Sequence, residues 1–294
     1  MSPTAFALVI LAGLIHALWN IAAKKAGGDV RFAAWNGIIM AVVWSPVGIY
    51  CAWSVVPQWG WREYALVSLS GLLHVLYFIT LLRGYRKADL TVVYPLARGS
   101  GPLLSSAMAI IFLNERLSWL GMLGIVVVVI GVFFIAGGPS LFAEAKQHDA
   151  QKNRRVRKGI YYGLLTGVFI AAYTVVDGYG VKVLLVSPIL LDYMGNLVRI
   201  VIVLPSLLRD RQASALSWKK EWKYAMVVGC ISPISYVLVL YAMQLAPLSH
   251  VAPAREVSML FAALIGGQLL NEGGRIPRML GALCIAAGVI ALGL

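Results

Sequence analysis

Apolar runs of membrane length alternate with short polar connections along the whole chain. They cover approximately residues 4–24, 32–53, 63–83, 90–113, 118–138, 159–181, 186–208, 223–245, 248–270 and 276–294. Each is close to the roughly 20 residues that a helix needs to cross a hydrocarbon core. The pattern predicts an all-α membrane protein with ten transmembrane helices. Most connections are too short for an extramembrane domain. The exception is the polar and basic stretch "PSLFAEAKQHDAQKNRRVRK", 139–158, which divides the chain into two five-run halves, 1–138 and 159–294. The first run has no basic leader or small-residue cleavage site, so it is expected to remain as a span.

The halves repeat each other. "GLLHVLYFITLLRGYRKADLTVVYP" from Gly71 lies over "GCISPISYVLVLYAMQLAPLSHVAP" from Gly229 without a gap, matching Pro95 with Pro253. One residue of adjustment then matches Arg98 with Arg255, and "LNE" at 113–115 with "LNE" at 270–272. Apolar sequences coincide easily, so the shared proline, arginine and Asn-Glu pair carry the argument for an internal duplication.

Charge placement sets the orientation of the repeats. Loops one–two and three–four carry Lys24, Lys25, Arg31, Arg83, Arg86 and Lys87, whereas their counterparts in the second half carry only Lys182. Loops two–three and four–five carry only Arg62 and Arg116, whereas their counterparts are rich in Lys and Arg, from Arg209 to Lys223 and at Arg275 and Arg278. The bias switches sides between halves, as an odd number of spans requires, which predicts inverted-topology repeats. All basic loops and the linker then share one face, expected to be cytoplasmic in a bacterial inner membrane, with both termini outside.

Composition narrows the function classes. Hydrophobic residues make up 60% and charged residues 13% of the 294, against about 25% charged in a soluble domain. The net charge of +13 is spread over short loops rather than one patch, so a nucleic-acid partner is not expected. Cys51, Cys230 and Cys284 are isolated in apolar runs and suggest neither a metal site nor disulfides. No P-loop occurs, and neither a paired acidic motif nor a metalloprotease motif is present. No cofactor or metal is expected.

Polar residues at membrane depth are the candidate chemistry, because a charge there costs at least about 2.5–3.5 kcal/mol. Arg98 and Arg255 stand in the middle of the fourth and ninth runs. They either pair with buried carboxylates or face a wet cavity, where a guanidinium fork would hold a carboxylate or phosphonate. Pro95, Gly99, Gly101 and Pro102 predict an irregular fourth span, and Pro253 a broken ninth span with freed carbonyls one turn earlier. Glu256, beside Arg255, is either a partner for an arginine or a proton carrier. His16, Trp19 and Asn20 share one face of the first run, and His74 and Tyr77 repeat the spacing in the third. Tyr94, Tyr173 and Tyr236 are further candidate lining residues. Asp177, His74 and His16 join Glu256 as candidates for proton coupling, with Asp177 also placed near enough to the span end to be solvated. Asp192, Asn196 and Arg199 are expected to form a packing network. Glu115 is expected to do structural work at a helix end, with Arg116 as its neighbour.

"HALWN", "YPLARGSGPLL", "FLNERLS" and "APLSHVAPAREVSMLFAALIGG" followed by "LNE" together resemble the EamA-type members of the drug/metabolite transporter superfamily. That resemblance implies a ten-helix secondary transporter with a central cavity lined by helices one, three, four, six, eight and nine. It also implies cytoplasmic termini, in conflict with the charge count. It leaves the substrate open, since relatives export amino acids and other metabolites, and distant ones move nucleotide sugars, phosphorylated sugars or cationic drugs. The expected function is alternating-access transport of a small anionic or zwitterionic metabolite, such as an amino acid, organic acid or phosphonate. A flippase or an enzyme acting on a lipid-linked phosphate is the alternative. The expected partners are that small molecule, membrane lipids and a coupling proton. A monomer suffices, and a dimer remains compatible.

Overall fold

The computed structural model describes residues 1–88, 90–135, 150–270 and 275–294. Among them there is no strand. The helices are α1 (Pro3–Ala26), α2 (Val30–Val43), α3 (Ser45–Val55), α4 (Trp61–Lys87), α5 (Leu90–Phe112), α6 (Trp119–Ile135), α7 (Ala150–Lys182), α8 (Pro188–Val203), α9 (Pro205–Leu208), α10 (Arg211–Leu245), α11 (Leu248–Ala254), α12 (Val257–Leu270) and α13 (Arg275–Gly293). Six of the described segments are long and apolar enough to cross a membrane, the last of them Leu248–Ile265 across the α11–α12 break. A seventh forms if the bent pair α2 and α3 makes one span, and Trp119–Ile135 and Met279–Gly293 are shorter apolar helices. The chain is an integral membrane protein.

Local sequence explains where these helices start, bend and stop. Ser2 caps α1 by accepting from the Ala5 amide, and Gly27 ends it in the left-handed region at φ 62°, which glycine adopts without strain. α2 and α3 meet at 67° because Pro46 cannot donate to the preceding turn. Trp44 at that bend donates its indole N–H to the Cys230 carbonyl, tying the bend to α10. α7 begins at Ala150, so the end of the 139–158 segment is helical, while residues 139–149 lie outside the described residues. α10 is likewise longer than its apolar run, starting at Arg211 with Asp210 as its cap.

The helix of the fourth run, which is not among the six segments above, is more regular than expected. α5 continues from Leu90 to Phe112 through both Pro95 and Pro102. Proline removes one hydrogen bond without having to end a helix, and serine hydroxyls take up nearby carbonyls: Ser100 donates to Leu96 O and Ser105 to Pro102 O. The ninth run does break, between α11 and α12 at Arg255 and Glu256. Pro253 has no N–H to offer Ser249 O. That carbonyl accepts instead from Ser106 Oγ of α5 at 3.0 Å.

The two halves are interleaved. α1 packs on α10 and α12, and α7 packs on α4 and α5. α2 packs on α10 as α8 packs on α4, while α6 packs on α13 and α5 on α11. Exchanging each of these helices for its counterpart in the other half reproduces these pairings, whereas the packing of α7 and α8 on α10 has no comparable counterpart between α1 or α2 and α4.

Glycines make two of these contacts reciprocal. A Cβ on Gly124 would meet Gly288 O at 3.0 Å, and one on Gly131 would meet Gly281 O at 2.7 Å. α6 and α13 therefore run antiparallel with backbones touching. Gly124 and Gly281, and Gly131 and Gly288, are each separated by the same interval as Arg98 and Arg255. Gly13 likewise packs on Val257 and Ser258, and Gly101 on Ile170, which are again exchanged by that interval. The outer surface is apolar, with Val42, Ile49, Leu123, Val126, Val201 and Ile290 exposed.

Candidate functional site

The break between α11 and α12 presents two charged side chains to the centre of the bundle. Glu256 is fully buried and Arg255 is 7% exposed. Glu256 Oε2 lies 2.8 Å from Arg98 Nη2, and Arg98 also donates to Ser258 Oγ at 3.3 Å. The Glu256 contact is an ion pair whose angle is not that of a linear hydrogen bond. Glu256 Oε1 and Arg98 Nε have no hydrogen-bond partner among the described residues. The carboxylate next to Arg255 thus serves the arginine of the other repeat.

Arg255 has no such carboxylate. Its side chain donates to the Tyr173 hydroxyl of α7 at 3.3 Å, and no acidic oxygen stands within ion-pair distance among the described residues. A buried guanidinium satisfied by one neutral hydroxyl keeps donors available in the fork that suits a carboxylate or phosphate.

Tyr173 joins this charge cluster to a second one. Its ring stacks on His74 of α4 at 4.0 Å and meets Tyr77 edge-on at 5.7 Å. His74 Nδ1 bonds to Ser70 O at 2.9 Å, and its Nε2 faces Asp177 Oδ2 at 3.8 Å. Tyr236 of α10 donates to the same Asp177 oxygen. Asp177 is fully buried, so of its two readings, proton coupling or solvation near a span end, solvation fails: Tyr236 of α10 and His74 of α4 cover it.

On the other side of the centre, His16 meets Trp19 edge-on at 4.6 Å. Trp19 donates its indole N–H to Ser235 Oγ of α10 at 3.1 Å. His16 lies within the field of both Arg98 and Arg255, and Tyr94 within that of Arg98 and Glu256. Asn20 is half-buried on the same helix. The candidate residues other than Asn20 are thus linked by contact or charge around one centre.

The family model for the EamA-like transporter family matches residues 3–137 and, separately, 157–294. The chain belongs to the EamA-like transporter family. Its solved relatives in fold include one titled "Crystal structure of protein", with a TM-score of 0.78 and 14% identity, covering 99% of this chain and 98% of that one. At that identity the likeness speaks to fold alone. None of the curated proteins matches the chain in sequence.

In this EamA-like transporter several polar contacts lie away from the centre. Asp192 pairs with Arg199 at 3.1 Å, and Asn196 donates to Gly37 O at 2.9 Å, the packing network expected from their spacing. Glu115 does not use Arg116. It pairs with Lys182 at the end of α7 at 2.8 Å and accepts the first amides of α11, from Leu248 at 2.7 Å and Ser249 at 2.8 Å. Burial raises the cost of that charge. The Lys182 ammonium and the two amides outweigh burial and hold the carboxyl below the usual carboxylate range. Glu272, its counterpart in the second half, lies outside the described residues. Ser258, Ser235 and Ser70 were not among the expected site residues. Ser258 carried a signal, standing one helical turn from Arg255.

Two cavities lie to one side of this cluster. One of about 570 Å³ is lined by Tyr50, Trp53, Ser187 and Leu190, and one of about 140 Å³ by Trp44, Asp192, Tyr193 and Pro233. Neither is lined by Arg98 or Arg255.

Proposed function

We propose that this protein is a secondary transporter that moves a small anionic or zwitterionic metabolite by alternating access. Two inverted five-helix repeats, 1–138 and 159–294, would rock about a central site, joined by the basic segment 139–158. The observation that carries the substrate class is Arg255, a buried cation between the repeats whose hydrogen-bond partner is a neutral phenol. Arg98 is already balanced by Glu256, so Arg255 is the group with attraction left for an anion. Aromatic faces at Trp19, Tyr77, Tyr94 and Tyr236 would hold the remainder of an amino acid, organic acid or phosphonate.

The inverted arrangement draws support from the reciprocal glycine contacts. Two antiparallel helices that exchange equivalent contacts are related by an axis perpendicular to both. For helices that cross a membrane, such an axis lies in the membrane plane, the relation that alternating access uses. Contacts between loops support the grouping of basic loops on one face, taken as cytoplasmic in a bacterial inner membrane. Arg31 reaches Asp210 at 3.8 Å, and Lys87 lies over the Tyr162 ring at 5.8 Å. Glu115, Lys182 and Leu248 gather at the opposite ends of their helices. One chain holds both repeats, so a monomer is a complete unit.

Uptake of a mixture of labelled amino acids and organic acids into proteoliposomes tests this reading. Arg255→Ala is expected to lower uptake about ten- to hundredfold, the range of a lost charge-assisted hydrogen bond, with the protein still monodisperse in detergent. Uptake equal to wild type would remove the anion site. Chemical conversion of a lipid-linked phosphate without translocation would establish the enzyme instead.

A further inference from the structure

The polar centre contains one place where the repeats differ in kind. By the interval that separates Arg98 from Arg255, Asp177 corresponds to Asn20; by the interval that separates Gly71 from Gly229, His74 corresponds to Ser232. α7 packs on α4 as α1 packs on α10, so these are equivalent sites in the two halves. One site holds a carboxyl and an imidazole, and the other an amide and a hydroxyl. The arginines, the prolines and the "LNE" motif are duplicated, whereas this titratable pair is not.

The geometry points to Asp177 and His74 as a shared proton-binding site whose occupancy sets how strongly Arg255 attracts the transported anion. The inference rests on the transporter reading above and adds to it the coupling ion and its position. Four observations carry it. First, His74 Nδ1 faces a carbonyl, Ser70 O at 2.9 Å, so Nδ1 must carry a hydrogen. The neutral ring then has a lone pair on Nε2. Second, that lone pair faces Asp177 Oδ2 at 3.8 Å. Two acceptors confront each other unless a proton sits on one of them. Third, Asp177 is fully buried, and its Oδ1 has no hydrogen-bond partner among the described residues. Tyr236 donates to Oδ2, and the Ser70 hydroxyl also acts on the carboxyl, so the hydrogen bonds to the negative charge come from neutral donors alone. Fourth, Tyr173 stacks on His74 and accepts from Arg255, placing the pair beside the substrate-holding cation.

Groups from several directions surround the pair. α4 supplies Ser70 and Tyr77, α7 supplies Tyr173, and α10 supplies Tyr236. α8 supplies the Asp192–Arg199 ion pair, whose guanidinium also acts on His74 and Asp177, and the α11–α12 break supplies Arg255, which acts on His74. The empty pair therefore carries one negative charge beside the Tyr173 ring whose hydroxyl Arg255 holds, and that charge offsets part of the Arg255 field. Taking one proton from hydronium onto the Asp177 carboxyl, where His74 Nε2 can accept its hydrogen bond, makes the pair neutral and leaves the Arg255 field to the anion. By linkage, a bound anion raises proton affinity by the same factor, which is co-transport of proton and anion. Glu256 and His16 are not needed for this step, since Glu256 is engaged by Arg98.

Infrared pH-difference spectra of the full chain in liposomes, with ¹³C in the aspartate carboxyls, test the site without a known substrate. A protonated-carboxyl band that titrates is expected in wild type. It should vanish in Asp177→Asn, shift in frequency in Tyr236→Phe, and move in midpoint by about one pH unit or more in His74→Gln. Asp210→Asn, at the exposed cap of α10, should leave it in place. The Tyr236→Phe shift keeps the test open should Asp177→Asn fail to fold. A second arm follows uptake of the same labelled mixture with and without an imposed pH gradient. The gradient should accelerate wild type and lose that effect in Asp177→Asn. No titrating band, or a band unchanged in both Asp177→Asn and Tyr236→Phe, overturns the proton site. Uptake with the same gradient response in Asp177→Asn overturns the coupling and leaves the transporter reading intact. A band that behaves as expected with no probe translocated supports the proton site and counts against transport.

Discussion

Arg98 Nη2 lies 2.8 Å from Glu256 Oε2, and the pair ties the middle of α5 to the break between α11 and α12. Both groups are withdrawn from solvent, so each is the other's main compensation. Removing one partner of a buried pair costs about 3–5 kcal/mol, because the other charge is left alone in a low dielectric. Glu256→Gln and Arg98→Met are each expected to lower the thermal midpoint in detergent markedly. The double variant should lie above both. Independent effects of the two substitutions in that double-mutant cycle would mean the ion pair does not hold the break.

Glu115 predicts how stability depends on pH. Its carboxyl is held below the ordinary value of 4.5 in the folded protein, against the cost of burial, by Lys182 and the Leu248 and Ser249 amides. The unfolded chain binds that proton more tightly, so stability rises with pH across the window between the two values. The contribution is fully present above the ordinary value. It is lost as pH falls through the lowered one. Glu115→Gln should therefore unfold more easily at neutral pH and show a flatter acid limb than wild type, read by thermal unfolding across the acid range. An acid limb of unchanged slope would place the titration elsewhere.

The glycine contacts of α6 and α13 should tolerate no side chain. A Cβ on Gly281 would stand 2.6 Å from both Gly131 O and Ile135 N, which are backbone atoms that cannot swing aside. Gly281→Ala is expected to cost about 1–3 kcal/mol, the usual penalty of overpacking, and to lower the thermal midpoint accordingly. Gly99→Ala is the control, since its Cβ would meet only Val129 Cγ1 at 3.7 Å. Equal midpoints for the two variants would show that the helices can part without loss.

The apolar helices and the matching arginines were legible because hydropathy and repetition are local signals, although six or seven of the described segments, rather than ten, are long and apolar enough to cross a membrane. The partner of each arginine was not. Nothing in "AREV" tells that Glu256 turns to Arg98 of the other repeat rather than to its neighbour Arg255, because that choice is made by the α11–α12 break. The depth of Asp177 was missed for a related reason. Helices that are apolar nearly all round have little periodicity to reveal which face is inside, and α6 has no polar side chain beyond the Trp119 indole. Glu115 was recognised as structural from its repetition, but its partners come from the ends of α7 and α11, far along the chain. The freed carbonyl before Pro253 was legible, since a missing N–H is a property of one residue.

That carbonyl separates stability from function. Ser249 O accepts from Ser106 Oγ because Pro253 offers no hydrogen. Pro253→Ala would supply an N–H aimed back at Ser249 O and let α11 run on through Arg255 and Glu256 as regular helix. Relief of an interior proline is worth up to about 3 kcal/mol in a helix, so the thermal midpoint is expected to rise. Straightening the helix would also rotate Arg255 away from Tyr173 and Glu256 away from Arg98, so uptake should fall in the same variant. Ser106→Ala, which removes only the hydroxyl and leaves the break, should change uptake far less than Pro253→Ala. Thermal unfolding and proteoliposome uptake on the three proteins decide it. A Pro253→Ala protein that is more stable and transports as well as wild type would mean that the break does not position the two charged side chains for function.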